Sequence, residues 1–145
     1  MQPSEFHRHV AEALGGCQLV EQELKLYLSE AFQLIVKTLG GLMPFKMSGN
    51  DYQDASLERL IETFKKLSDN PLLLEQLGRF KDERNFLSHR SITYCLDPEG
   101  ELDMGTFEEL EPRLLAISPE AMRLQAAIHE EGNKFRPHLW FEDVE

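Results

Sequence analysis

The stretch SEFHRHVAEALGGCQLVEQELKLYLSEAFQLIVKTLGG, residues 4–41, decides the fold class. Its apolar residues recur at steps of three or four, the spacing that places side chains on one face of an α-helix. They are Phe6, Val10, Leu14, Cys17, Val20, Leu24, Tyr27 or Leu28, Ala31 and Ile35. With Ser4 as the N-cap, the pattern predicts one long amphipathic helix over residues 4–38.

Two pairs of adjacent glycines occur in this stretch, one inside the predicted helix and one at its end. Gly15-Gly16 lies in its interior and costs about 2 kcal/mol relative to two alanines. We therefore expect a bend or a close helix contact there. Gly40-Gly41 ends the helix, and a loop rich in turn residues follows over residues 41–54.

The rest of the chain predicts shorter helices and one irregular region. The helices span residues 54–67, 71–91, a short segment from Thr106 and a last one from Ser118 to Gly132. Residues 92–96 have strand-like composition and precede a turn, which predicts a short hairpin or a loop insertion near residues 92–105. The expected fold class is all-α, an up-and-down bundle of four to five helices over residues 5–131. An acidic tail with aromatic residues follows over residues 132–145.

Composition excludes several classes of protein. A chain of 145 residues suits one domain, and its longest uncharged stretches are eight residues each, too short for a membrane helix. The net charge is −11, of which −9 belongs to residues 95–145. A protein that binds nucleic acid through unspecific phosphate contacts is normally basic, so only a small local cationic site is compatible with this charge. The N-terminus does not resemble a secretory signal, so we expect a cytoplasmic protein without a membrane partner.

Motifs for common cofactors are missing from the sequence. It has no phosphate-binding glycine loop, no HExxH, no EF-hand and no CxxC pair, and Cys17 and Cys95 are interpreted as buried reduced thiols. His7 and His9 point to different faces of a helix and do not form a metal site. We therefore expect neither a metal nor a cofactor.

One constellation remains, in the third helix. Asn85 and His89 lie at positions i and i+4 and therefore share a face, while Arg84 occupies a position where the period calls for an apolar residue. An imidazole exchanges protons near neutral pH, and a guanidinium is a planar fork suited to a phosphate. These groups would suffice for attack of a ribose 2′-hydroxyl on the adjacent phosphate. The alternative is an ordinary set of ion pairs and interhelical polar contacts.

The segment Arg84-Asn85-x-x-x-His89 resembles the R-N-x-x-x-H form of the R-x4-6-H motif of HEPN domains. Residues 20–28, VEQELKLYL, are similar to the first-helix pattern of that family, and residues 37–45, KTLGGLMPF, to the segment that follows it. The resemblance covers residues 5–131.

This resemblance implies a helical bundle that forms a homodimer through the motif-bearing helix. It also implies a metal-independent endoribonuclease that cleaves RNA at a composite dimer site, as a toxin or an antiviral abortive-infection effector with an antitoxin or partner protein. Arg84 would bind the scissile phosphate, His89 would transfer a proton and Asn85 would orient them. Glu23 is the expected supporting acid. Arg79, Lys81 and Arg90 would add local positive charge for the RNA.

One departure bears on regulation. The subgroup paired with nucleotidyltransferase antitoxins resembles R-x4-H-x-Y, whereas this chain has His89-Arg90-Ser91, and Tyr94 lies three residues too late. Regulation by modification of that tyrosine is therefore not expected. Many HEPN domains are non-catalytic, so a nucleotide-binding or assembly module is the alternative function.

Overall fold

The computed structural model describes residues 3–95 and 104–141, with side chains over residues 5–90 and 109–141. These residues form helices and loops without a β-strand, which confirms the all-helical prediction. The helices are α1 (Pro3–Leu39), α2 (Leu57–Lys65), α3 (Pro71–Cys95), α4 (Met104–Gly132) and α5 (Arg136–Trp140), with a short 3-10 helix at Gly49–Tyr52. None of the helices in the described ranges combines the length and apolarity needed to cross a bilayer.

Helix α1 is the structural centre of the molecule and ends where the sequence predicted. Gly40 and Gly41 adopt φ values of 56° and 85°, the left-handed region that glycine reaches without a Cβ clash. The buried face of α1 differs from the expected one at a single turn. Leu14 is half exposed and Ala13 is buried in its place. The small side chain of Ala13 suits this turn, where the neighbouring helix comes very close.

That neighbour is α4, which packs against α1 more extensively than any other helix does. A Cβ added to Gly16 would lie 3.1 Å from the Ala121 Cβ and 3.3 Å from the Ser118 Cα, whereas one added to Gly15 would meet nothing within 4 Å. Gly16 therefore marks the close helix contact that the sequence predicted.

The contacts also give the directions of the helices. Along α1, Gly16 meets Ser118 and Glu23 meets His129, so α1 and α4 run in the same direction. Helix α3 runs against α4, because Glu83 pairs with Arg113 while the turn before α3 reaches Glu131. The expected up-and-down order is therefore corrected, since neighbouring first and last helices of a strict four-helix array are antiparallel.

Two sequence boundaries differ from the expectation. Residues 92–95 continue α3 as helix instead of starting a strand. The rest of the expected hairpin or loop falls largely on residues 96–103, outside the described residues. The two C-terminal helices are a single α4 that runs through Pro112 and Pro119. An internal proline costs about 3 kcal/mol, and burial of one continuous face offsets this cost: Leu110, Leu114, Ile117, Ala121, Leu124 and Ile128.

The segment after α4 docks back onto α1. The Phe135 ring packs edge-on against Tyr27 with centroids 5.2 Å apart. Arg136 forms a buried ion pair with Glu30, and the Arg136 Nε lies 2.9 Å from a Glu30 carboxylate oxygen. Lys37 of α1 also donates to the backbone carbonyls of His138 and Leu139, so an aromatic contact, a buried ion pair and backbone hydrogen bonds hold this segment, while Trp140 and Phe141 face solvent.

Candidate functional site

Helix α3 presents the motif residues because its start and its buried face are well defined. The Asn70 side chain accepts a hydrogen bond from the Leu73 backbone N–H at 3.2 Å, and Pro71 occupies the first helical position, where its missing N–H costs nothing. The apolar face that follows is buried as predicted: Leu73, Leu77, Phe80 and Leu87. Arg84 falls on this face, one turn before its end.

Arg84 is the polar exception on that buried face. Its side chain is 25% exposed, and its Nε is buried without a hydrogen-bond partner among the described residues. Its terminal Nη2 lies 3.7 Å from the Glu58 carboxylate on α2. The stem of Arg84 thus fills a core position while its charged end reaches toward α2.

The Arg84 guanidinium also acts electrostatically on Cys17 of α1. Burial raises the pKa of the Cys17 thiol from 9.0 to about 11, and the positive charge of Arg84 opposes this shift only partly. Cys17 is therefore a neutral thiol at physiological pH, in agreement with its interpretation as a small buried hydrophobe.

Asn85 is anchored by the same carboxylate. Its Nδ2 donates to a Glu58 Oε at 2.9 Å. This hydrogen bond is the largest cause of the lowered pKa of Glu58, and the charges of Arg84 and Lys81 act in the same direction. One turn further along α3, His89 is exposed. Glu58 therefore brings Arg84 and Asn85 together at the base of an exposed surface that continues to His89.

The three expected auxiliary cations divide between two sides of α3. Lys81 lies on the Glu58 side, with its Nζ 3.5 Å from Asp82. Arg79 and Arg90 lie on the side that faces α4, where Arg79 pairs with Glu75 at 3.1 Å and the Arg90 guanidinium lies 5.4 Å from the centroid of Phe86. The structure thus separates cations that the sequence grouped together.

Glu23, the expected supporting acid, contacts α4 and not the motif residues of α3. It is buried on α1, and its carboxylate is 2.8 Å from Nδ1 of His129 on α4. The acid that contacts Arg84 and Asn85 is Glu58.

A signal for Glu58 was present in the sequence. The short turn at Ser68–Asn70 makes α2 and α3 antiparallel neighbours. Glu58 lies 10 residues before this turn and Asn85 lies 15 residues after it, so counting outward places the two about one and a half helical turns apart and gives only a coarse signal. No local signal predicts Arg113 of α4, which forms a bidentate ion pair with Glu83 of α3 at 2.6 Å. That pairing depends on how α4 packs against α3.

No family model, no curated protein and no solved structure matches this chain. Among the side chains of residues 5–90 and 109–141, no three from His, Cys, Asp or Glu converge as a metal site would require.

The chemistry of the site follows from the groups that meet there. A guanidinium, a carboxamide and an exposed imidazole provide a fixed positive charge, a neutral donor and acceptor, and two ring nitrogens that can donate or accept a hydrogen bond. This set can bind and polarise a phosphate. Glu58 competes with such an anion for both Arg84 and Asn85, and it also holds their side chains in place.

Proposed function

We propose that this chain is a metal-independent endoribonuclease of HEPN type, a cytoplasmic toxin or defence effector that acts as a homodimer on RNA. The observation that carries the proposal is the placement of Arg84, Asn85 and His89 on α3. The first two share Glu58 as a partner, and His89 lies on the same exposed side as Asn85. A second copy of α3 facing this side would supply the same three groups again and complete a cleft.

In the proposed reaction, the ribose 2′-hydroxyl attacks the adjacent phosphate. The P–O bond to the 5′-oxygen of the next nucleotide breaks, which leaves a 2′,3′-cyclic phosphate and a new 5′-hydroxyl. Arg84 stabilises the charge that develops on the phosphate oxygens. His89 transfers a proton to the leaving oxygen or from the attacking one. The Asn85 carboxamide orients the phosphate beside them.

The test is cleavage of a mixed cellular RNA pool in the presence of EDTA. We expect the unsubstituted protein to leave 2′,3′-cyclic phosphate ends and His89→Ala to leave the RNA intact. His138→Ala is the matched control, because His138 is also exposed but lies on α5, and it should cleave normally. Cleavage that persists in a folded His89→Ala protein would contradict the assignment of this site.

A second candidate is a non-catalytic module that binds a nucleotide or assembles with a partner. The specific observation in its favour is again Glu58, since its carboxylate pairs with the positive charge of Arg84 and accepts a hydrogen bond from the Asn85 amide. If the unsubstituted protein cleaves nothing in the RNA assay but ATP raises its melting temperature, and Arg84→Ala abolishes that rise, the nucleotide-binding form of this second candidate replaces the first.

A further inference from the structure

The structure contains a groove between α3 and α4 that the proposed catalytic residues do not use. It encloses about 650 Å³, a volume typical of ligand sites. The buried side chains of Phe80 and Ile117 form an apolar floor, and the exposed Pro112 also lines the groove. Three arginines stand around this floor: Arg79, Arg113 and Arg123. We call it the arginine groove.

Arg113 is the fixed element of the arginine groove. Its Nε and Nη2 each donate to one Glu83 oxygen at 2.6 Å, and its guanidinium carbon lies 3.9 Å from the centroid of Phe86. This bidentate pair uses two of the five N–H donors of the guanidinium and leaves three outside it. Hydrogen bonding to Glu83 also raises the pKa of Arg113. A cation held both by a carboxylate and by a ring face is already ordered for a ligand.

The other two arginines line the groove with more freedom. Arg123 is held by Glu120 and its side chain is 63% exposed, while Arg79 is held by Glu75. The lining residues contain three arginines and two glutamates. With Glu75, which pairs with Arg79, the groove is close to neutral in a chain whose net charge is −11. An apolar floor with guanidinium groups around it suits a nucleotide, with the base on the floor and the phosphate on the arginines.

The groove lies beside the row of α3 that carries two of the three motif residues, Asn85 and His89. On α3, residues 78, 82, 85 and 89 form one row at steps of four, three and four, and residues 79, 83, 86 and 90 form the next row. The first row carries Asn85 and His89. The second carries Arg79 and Arg90, together with Glu83 and Phe86, which hold Arg113. A single strand of RNA that crosses α3 from Asn85 and His89 therefore reaches the arginine groove next.

We propose that the arginine groove binds the single-stranded RNA that flanks the bond cleaved at Arg84, Asn85 and His89. This proposal rests on the proposed function for its substrate. It predicts that Arg113 and Arg123 contribute phosphate contacts to RNA affinity and do not take part in bond cleavage.

The experiment measures binding of a fluorescein-labelled oligouridylate by fluorescence anisotropy over a range of salt concentrations, with every protein carrying His89→Ala so that the RNA stays intact. For single strands the logarithm of the binding constant falls with the logarithm of salt concentration by about 0.7 per phosphate contact. We expect Arg113→Gln and Arg123→Gln each to weaken binding and to reduce this slope by about 0.7.

Lys46→Gln is the matched control, because it removes one positive charge from an exposed residue in the loop after α1. Its slope should equal that of the parent protein. Arg123→Gln keeps the test valid if Arg113→Gln unfolds, since Arg123 is mostly exposed.

The outcomes separate the two proposals. Slopes unchanged in both arginine variants, or no binding by the parent protein, would overturn the groove as an RNA site, even if His89-dependent cleavage is observed. Loss of binding in the arginine variants, with no cleavage by the unsubstituted protein, would support RNA binding in the groove. The same result would contradict the proposed ribonuclease activity. ATP that competes as strongly as the oligouridylate would also overturn the proposal, because the groove would then be a mononucleotide site.

Discussion

Glu58 is the residue through which the candidate site is organised, because one carboxylate contacts both Arg84 and Asn85. The hydrogen bond from Asn85 holds the pKa of Glu58 below its usual range. A carboxyl whose pKa is lower in the folded than in the unfolded state stabilises the fold at pH values above the unfolded pKa. That contribution is lost as the pH falls through the folded pKa.

Glu58→Gln tests this link. Glutamine keeps an oxygen acceptor for Asn85 but has no charge, so we expect the variant to be less stable than the unsubstituted protein at neutral pH. The difference should shrink as the pH falls below about 4, the ordinary pKa of glutamate. Urea unfolding followed by circular dichroism at a series of pH values measures it. A stability difference independent of pH would show that the charge of Glu58 contributes nothing.

At the residue scale, the sequence identified Arg84 because a cation interrupted an apolar period, and the structure places it on that buried face. The sequence did not identify Glu58 as the partner of Arg84. In the sequence, an acid on α2 cannot be told from a solvent-exposed one until the α2–α3 turn fixes how the two helices align. The expected partner, Glu23, lies in a polar contact between α1 and α4 instead.

The contact between α1 and α4 is the strongest constraint at the scale of elements, and adjacent glycines test it. Gly15→Ala should stabilise the protein by about 0.5–1 kcal/mol, because alanine is the better helix former and its Cβ meets open space. Gly16→Ala should destabilise it by about 1–3 kcal/mol, because its Cβ presses on Ala121 and on the backbone of Ser118.

Thermal unfolding of the two variants side by side gives both values. The two variants make the same substitution at adjacent positions of one helix, so helix propensity affects both equally. Only the contact with α4 distinguishes them. Equal effects of the same sign would mean that α4 does not pack against Gly16.

Element boundaries followed the sequence where local signals act alone and departed from it where packing prevails. Gly40 and Gly41 end α1 as expected, because positive φ angles are a local property. Ser118-Pro119 is a good helix start in isolation, yet α4 continues through it because its buried face extends on both sides. The strand-like residues 92–95 likewise extend α3.

For the whole molecule, the proposed dimer makes a sharp prediction at Gly78. This residue lies in the same row of α3 as Asn85 and His89, and a Cβ added to it would meet nothing within 4 Å. Gly78→Arg therefore should leave the protomer folded while placing a large side chain on the proposed interface. We expect a monomer by sedimentation velocity and loss of RNA cleavage.

Lys46→Arg serves as the control, since it puts an arginine at an exposed loop position away from α3. It should sediment like the unsubstituted protein. A Gly78→Arg protein with an unchanged sedimentation coefficient and full cleavage would rule out dimerisation through this row.

The parallel packing of α1 with α4 has a consequence for how the chain reaches its fold. Partners such as Glu23 and His129 are 106 residues apart in sequence, and contacts at such separation slow folding relative to helical bundles built from local contacts. A ribosome adds residues at about 5–20 per second, so α4 follows α1 by about 5–20 seconds. Throughout that interval, α2 and the 3-10 helix at Gly49–Tyr52 are the elements already synthesised that pack against the apolar face of α1.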